Sequence, residues 1–89
     1  MNAPTRRQVA VAFGGILRAA RCSAGLTQER LAEEADIDRT YPSLLERGLR
    51  EPGLGVVLTL GKALGIDPVI LVRMTMARLQ EERRQRGAA

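Results

Sequence analysis

The chain has no histidine, one cysteine and only two aromatic residues, Phe13 and Tyr41. A single cysteine cannot form an internal disulfide, and without histidine the chain cannot assemble a Cys/His zinc site. Both absences suit a reducing cytoplasm, where we expect the protein to work. With so few aromatic side chains, the core must be built from the aliphatic faces of helices, which favours an all-α fold.

Other absences disfavour several functional classes. The 89 residues leave room for one domain, and no apolar segment approaches the roughly 20 residues that span a bilayer. No nucleophile has an evident general base, and no glycine-rich loop is suited to cradle a phosphate group. We therefore expect a protein that is not an enzyme and that has no cofactor, no metal, no membrane partner and no evident small-molecule ligand.

The charged residues indicate an anionic partner. Fourteen Lys and Arg residues outnumber ten Asp and Glu residues, for a formal charge of +4. Thirteen of the fourteen cations are arginine, whose planar guanidinium group binds phosphates and guanine edges through paired hydrogen bonds. Nucleic acid is the natural partner for such a composition.

Apolar spacing and capping residues predict five helices. The first has its apolar positions from Val9 onward and ends near Gly25, and it follows residues 1–5, which we interpret as a flexible tail. The other four begin after Thr27, after Asp38, at Leu54 and at Asp67-Pro68, the last running to about Gln85.

The second and third helices are short and are joined by the turn Asp36-Ile37-Asp38, a helix-turn-helix arrangement. Residues 25–66, GLTQERLAEEADIDRTYPSLLERGLREPGLGVVLTLGKALGI, resemble the DNA-binding domain of the XRE family, the bacterial and phage regulators related to lambda repressor and Cro. The motifs that carry this resemblance are Gly25-Leu26-Thr27-Gln28, Leu31-Ala32 and Glu46-Arg47-Gly48. The resemblance implies a five-helix, lambda-repressor-like domain, here over residues 6–66, that binds double-stranded DNA.

The resemblance also implies roles for individual residues. The recognition helix, at about residues 39–47, would lie in the major groove. Gln28 would bind a phosphate at the start of the second helix. Base edges would face Arg39, Thr40, Ser43 and Leu44. By their own chemistry, Thr40 and Ser43 could bind bases or phosphates, and Arg47 and Arg50 suit phosphate anchoring. Tyr41 could reach either the DNA backbone or the core. Arg21 and Glu46 would form a structural salt bridge.

The sequence departs from the family pattern at two positions. Asp36 stands where the family usually has glycine, and aspartate tolerates the left-handed conformation better than most residues do. Pro42 replaces a branched aliphatic core residue. If Asp38 is the N-cap, Pro42 is the fourth helical residue and costs only the first backbone hydrogen bond, while Tyr41 is displaced from helical angles.

The fifth helix indicates a protein partner. Apolar residues surround nearly its whole circumference, and a surface helix of a monomer cannot bury them all. We predict that residues 67–89 form a dimerisation helix with a charged tail, the dimer contacts being made by Val69, Ile70, Leu71, Val72, Met74, Met76 and Leu79. A homodimer would present two recognition helices to a near-palindromic operator.

Two functions are compatible with these features. The leading interpretation is a sequence-specific transcriptional regulator, with the direction of regulation left open. The alternative is a protein-interaction module, such as an antitoxin-like or accessory factor, whose fifth helix binds another protein and whose DNA binding is weak and unselective.

Overall fold

The computed structural model describes residues 3–87, and within that range the fold is all-α, as predicted. The helices are α1 (Arg6–Ser23), α2 (Gln28–Ala35), α3 (Tyr41–Glu46), α4 (Leu54–Leu64) and α5 (Pro68–Gly87). Residues 1 and 2 of the predicted tail, and the last two residues of the predicted C-terminal segment, lie outside the described range. No single helix in residues 3–87 is long and apolar enough to cross a membrane. The pairs α1–α2 and α4–α5 reach that length and apolar content together, but they are bent by 97° and 109°.

The start of α1 differs from the prediction. The helix begins at Arg6 rather than at Val9, because Thr5 caps it. The Thr5 hydroxyl accepts a hydrogen bond from the Gln8 backbone at 3.1 Å, and the Gln8 side chain accepts one from the Thr5 backbone at 2.9 Å. This reciprocal pair satisfies two backbone donors, so Thr5 belongs to the helix N-terminus and not to a flexible tail.

An aliphatic core joins all five helices, as the composition predicts. Its centre is α1, which packs against both α3 and α5, while α2 packs against α3 and α4. The buried cluster consists of Phe13, Ile16, Leu17, Ala20, Leu31, Ala35, Leu45, Val57, Leu60, Leu64 and Leu71. Because α2 and α3 are only eight and six residues long, they owe their stability to this packing and not to intrinsic helix formation.

The third helix is shorter than predicted and begins later. Its N-cap is Thr40 and not Asp38, so Tyr41 is the first helical residue and Pro42 is the second. The expectation that Pro42 displaces Tyr41 from the helix is therefore wrong. Pro42 is fully buried and Tyr41 packs against the core, and this packing outweighs the preference of a pre-proline residue for extended angles. At the second helical position the missing N–H of proline costs no helical hydrogen bond.

The turn after α2 has the geometry expected from its sequence. Asp36 lies in the left-handed region, with φ 54° and ψ 48°, and its backbone N–H donates to the Glu33 carbonyl oxygen at 3.3 Å. Asp36 therefore adopts the left-handed conformation that glycine adopts most readily. This turn sets the direction in which the chain enters α3.

Gly14 allows α1 and α3 to approach closely. A Cβ atom at this position would overlap the carbonyl oxygen of Leu45 and lie 2.8 Å from that of Glu46. The glycine therefore lowers the helix propensity of α1, but it allows the close contact that positions the C-terminal end of α3.

We expect Gly14→Ala to destabilise the protein by about 1–3 kcal/mol, because the added methyl group must push α3 away from α1. Gly55→Ala is the matched control, since a Cβ atom at Gly55 in α4 meets no neighbour within 4 Å. That change should be neutral or stabilising by up to about 1 kcal/mol. Urea unfolding of both variants measures the difference, and equal effects would contradict the assigned role of Gly14.

Candidate nucleic-acid interface

A polar groove lies between the N-terminus of α2 and the outward face of α3. It is lined by Gln28, Glu29, Arg39, Thr40, Ser43, Leu44 and Arg47. Six of the eight residues predicted to bind DNA are therefore neighbours on one surface, and Tyr41 and Arg50 lie outside the groove. Glu29 was not predicted, although it directly follows Gln28 in the sequence; it places a carboxylate beside the cationic residues.

A bidentate ion pair between Arg21 and Glu46 supports the helices that form the groove. The Arg21 guanidinium donates from Nε to Glu46 Oε2 at 2.6 Å and from Nη2 to Glu46 Oε1 at 3.0 Å. The Glu46 side chain is only 3% exposed, and Arg21 also donates to the Leu26 carbonyl oxygen at 2.9 Å. The hydrogen bond with Glu46 raises the pKa of Arg21 above its ordinary value, although burial acts in the opposite direction. The salt bridge implied by the family resemblance is thus present, and it ties α1 to the end of α3.

The same carboxylate orients Gln28. The Gln28 amide nitrogen donates to Glu46 Oε1 at 3.1 Å, and Gln28 is the first residue of α2. Its amide therefore has one N–H already engaged and one that remains to bind elsewhere. The Thr27 hydroxyl accepts from the Arg30 backbone at 3.0 Å and caps α2 as predicted. The buried Glu46 carboxylate of α3 thereby positions side chains on two other helices, Arg21 on α1 and Gln28 on α2.

Two further contacts shape the ends of α3. At its start, Asp38 Oδ1 accepts from the Thr40 backbone at 2.8 Å and from the Thr40 hydroxyl at 2.6 Å. These hydrogen bonds hold the pKa of the Asp38 carboxyl below its usual range. At its end, Arg47 Nε donates to the Ser43 carbonyl oxygen at 3.3 Å.

The two remaining predicted residues lie beside the groove. Tyr41 is partly buried and packs against the core, which favours the core alternative over the DNA-backbone alternative for its ring. Arg50 is exposed in the segment that joins α3 to α4.

The surface of α5 is apolar on its outer sides. Val69, Ile70, Val72, Met74 and Met76 are between 39% and 58% exposed, and Leu79 is half-buried. Leu71, in contrast, is fully buried in the core. Its assignment to a dimer contact is therefore wrong, because the inner side of α5 is needed to cover α1 and α4. Val72 and Met76 of this surface also line an apolar groove between α1, α4 and α5, together with Leu54 and Leu79.

Comparison with known proteins agrees with this geometry. The helix-turn-helix family matches residues 17–71, from the second half of α1 to the start of α5. The chain belongs to the XRE-type helix-turn-helix family. DNA binding and transcription regulation are properties of this family, and we assign them to this chain as a member of the family.

Three similar proteins are named as a control protein or as restriction-modification controller proteins. Control protein C.BamHI of Bacillus amyloliquefaciens is 42% identical over 64 residues, 71% of this chain and 79% of that protein. The controller C.AhdI of Aeromonas hydrophila has a crystal structure with a TM-score of 0.68 and 44% identity, covering 70% of this chain and 94% of its own. The controller C.Esp1396I, solved as a tetramer on its natural 35 base-pair operator, has a TM-score of 0.72 and 26% identity, covering 81% of this chain and 95% of its own.

We expect Glu46→Ala to destabilise the protein by about 2–4 kcal/mol, somewhat below the usual loss for a fully buried pair because Arg21 is 14% exposed. Glu34→Ala is the control, because it removes an exposed pair of similar length, Arg30 Nε to Glu34 Oε1 at 3.0 Å. That loss should be below about 1 kcal/mol. Urea unfolding at low and high salt distinguishes them, since salt screens only the exposed pair. Equal and equally salt-sensitive losses would contradict a structural role for Glu46.

Proposed function

We propose that this chain is a sequence-specific DNA-binding transcriptional regulator that acts in the cytoplasm, as a homodimer, on a near-palindromic operator. It is not an enzyme in this proposal. The observation that carries the proposal is the polar groove at α2 and α3, where six side chains suited to DNA meet on one exposed face. In this arrangement α3 enters the major groove and the N-terminus of α2 lies over the DNA backbone.

Four residues just before α3 and along its outward face are suited to reading bases. Arg39 can donate two hydrogen bonds to guanine O6 and N7, and Leu44 can contact a thymine methyl group. Thr40 and Ser43 carry hydroxyl groups of the size that fits beside a base edge. All four line the groove, and Arg39 and Thr40 are exposed. We assign sequence recognition to these four residues.

Phosphate binding is assigned to the rim of the groove. Gln28 has a second side-chain N–H and lies in the first turn of α2, where backbone N–H groups and the helix dipole attract an anion. Arg47 and Arg50 are exposed at the end of α3 and after it. Such contacts fix the orientation of the protein on the duplex but carry little sequence information.

The homodimer is assigned to the exposed apolar surface of α5. The five residues Val69, Ile70, Val72, Met74 and Met76 are too exposed for a helix that faces water in a monomer. C.Esp1396I assembles as a tetramer on its operator, and we infer that copies of this chain also meet on DNA. A twofold pair would place the two recognition helices about one helical turn, roughly 34–36 Å, apart.

The exposed surface of α5 also favours one alternative, a module that binds a different protein. In that case DNA binding would be weak and would not depend on sequence. In vitro selection from random duplexes separates the two functions. Enrichment of a sequence with two related half-sites supports the regulator, and failure to enrich any sequence supports the interaction module.

On the selected duplex, we expect Arg39→Ala to reduce affinity by about 1–3 kcal/mol and to relax the preference at one guanine, because the paired guanidinium contact is lost. Arg47→Ala should weaken all duplexes alike and reduce the salt slope by about one unit. Arg84→Ala is the charge-matched control, since Arg84 pairs with Glu81 near the end of α5. Fluorescence anisotropy measures all three. An unchanged base preference in Arg39→Ala would contradict its role in reading bases.

We expect Met76→Glu to raise the dimer dissociation constant at least tenfold, since a carboxylate would be buried without a partner in the subunit contact, at a cost of about 1–3 kcal/mol. Leu49→Glu is the control, because Leu49 lies between α3 and α4 and is 53% exposed, against 55% for Met76. Sedimentation equilibrium measures both variants. Identical dissociation constants for wild type and Met76→Glu would show that the α5 surface does not form the dimer.

A further inference from the structure

The Thr40 hydroxyl already donates its proton in a hydrogen bond to Asp38 before any ligand binds. Asp38 Oδ1 lies 2.6 Å from Thr40 Oγ1 and 2.8 Å from the Thr40 backbone nitrogen. An ionised carboxylate can only accept hydrogen bonds, so the single proton of the Thr40 hydroxyl must point at Asp38. These hydrogen bonds lower the pKa of Asp38, and an aspartate is ionised at neutral pH even at its ordinary pKa.

The lone pairs of the same hydroxyl remain available to a ligand. An N-cap threonine commonly turns its oxygen toward the backbone N–H of the second or third helical residue. Here the second helical residue is Pro42, which has no N–H, and the Thr40 hydroxyl is directed to Asp38. Thr40 is exposed and lines the groove beside Arg39 and Ser43. What it presents to the groove is therefore a hydrogen-bond acceptor.

As an acceptor, the Thr40 hydroxyl can bind only those groups on DNA that donate a hydrogen bond. In the major groove, adenine N6 and cytosine N4 are donors, whereas guanine O6 and N7 and thymine O4 are acceptors. A phosphate oxygen is also an acceptor, and it would meet the negative charge of Asp38 close to Thr40. An acceptor at Thr40 consequently favours a base that carries an exocyclic amino group.

Building on the proposed function, we propose that Asp38 is a specificity-determining residue that acts through Thr40. By holding the hydroxyl as an acceptor, Asp38 makes the protein select adenine or cytosine at one operator position and disfavour guanine and thymine there. Thr40 is then a base-reading residue and not a phosphate anchor. Arg39, whose guanidinium only donates, reads the opposite class of base edge at a neighbouring position.

The test uses the duplex obtained by in vitro selection and all its single base-pair substitutions, measured by anisotropy. The variants are Asp38→Ala, which frees the hydroxyl proton, Thr40→Val, which removes the hydroxyl, and Asp38→Asn, which keeps an acceptor oxygen at the same place. For wild type we expect one position at which adenine or cytosine is preferred by about tenfold. Asp38→Ala and Thr40→Val should reduce that preference to less than about threefold, while Asp38→Asn retains most of it.

Preferences at the other operator positions provide the internal control. If Asp38 only supports the fold, its loss will weaken all duplexes by the same factor, and that result would overturn the inference. A Thr40-dependent preference for guanine or thymine would also overturn it. A failure to select any sequence would instead refute the proposed function itself, so the two failures are distinguishable. Urea unfolding of each variant confirms that the compared proteins are folded.

Discussion

The hydrogen-bonded pair of Arg21 and Glu46 is the interaction on which the candidate interface depends. Recognition by a helix of only six residues requires that tertiary contacts hold it in place, since such a helix is unstable alone. Glu46 is the last residue of α3, and its carboxylate binds Arg21 of α1 and Gln28 of α2. The close approach that Gly14 permits brings α1 and α3 near enough for Arg21 and Glu46 to pair. Three helices are thus fixed at one point beneath the groove.

The opposite end of α3 is held by apolar packing together with the hydrogen bonds that Asp38 accepts from Thr40. Pro42 is fully buried and Tyr41 packs on the core, so the side chains that remain outward are those suited to contact DNA. The proline also removes one of the two backbone N–H groups that an N-cap hydroxyl commonly binds, and the Thr40 hydroxyl donates to Asp38. A residue that at first reads as a defect in a helix therefore has consequences for the chemistry of the groove.

Much of this arrangement could be predicted from the sequence because it depends on local rules. Thr27 as a cap and the short second helix follow from residue chemistry over a few positions. The left-handed conformation of Asp36 was expected because the family usually has glycine there. The family motifs then indicate the Arg21–Glu46 pair, whose partners are 25 residues apart. No local pattern could have indicated that pairing.

The features that sequence reasoning missed depend on competition between local and tertiary preferences. Thr40 rather than Asp38 became the cap because burial of Tyr41 and Pro42 decides where α3 begins. Leu71 was assigned to a subunit contact because helical periodicity does not show which apolar side of α5 covers the core. The direction of the Thr40 proton cannot be predicted without the position of the Asp38 carboxylate, and that position is set by the geometry of the turn.

The central claim is that the groove at α2 and α3 recognises DNA sequence. Its most direct test is the ratio of affinities of the wild-type protein for an in vitro selected duplex and for a scrambled duplex of the same composition, at about 150 mM salt, where non-specific phosphate contacts are weakened. The account predicts a preference of at least about 10³ for the selected duplex. A ratio near one would contradict it and would leave the helix-turn-helix as a scaffold for the surface on α5.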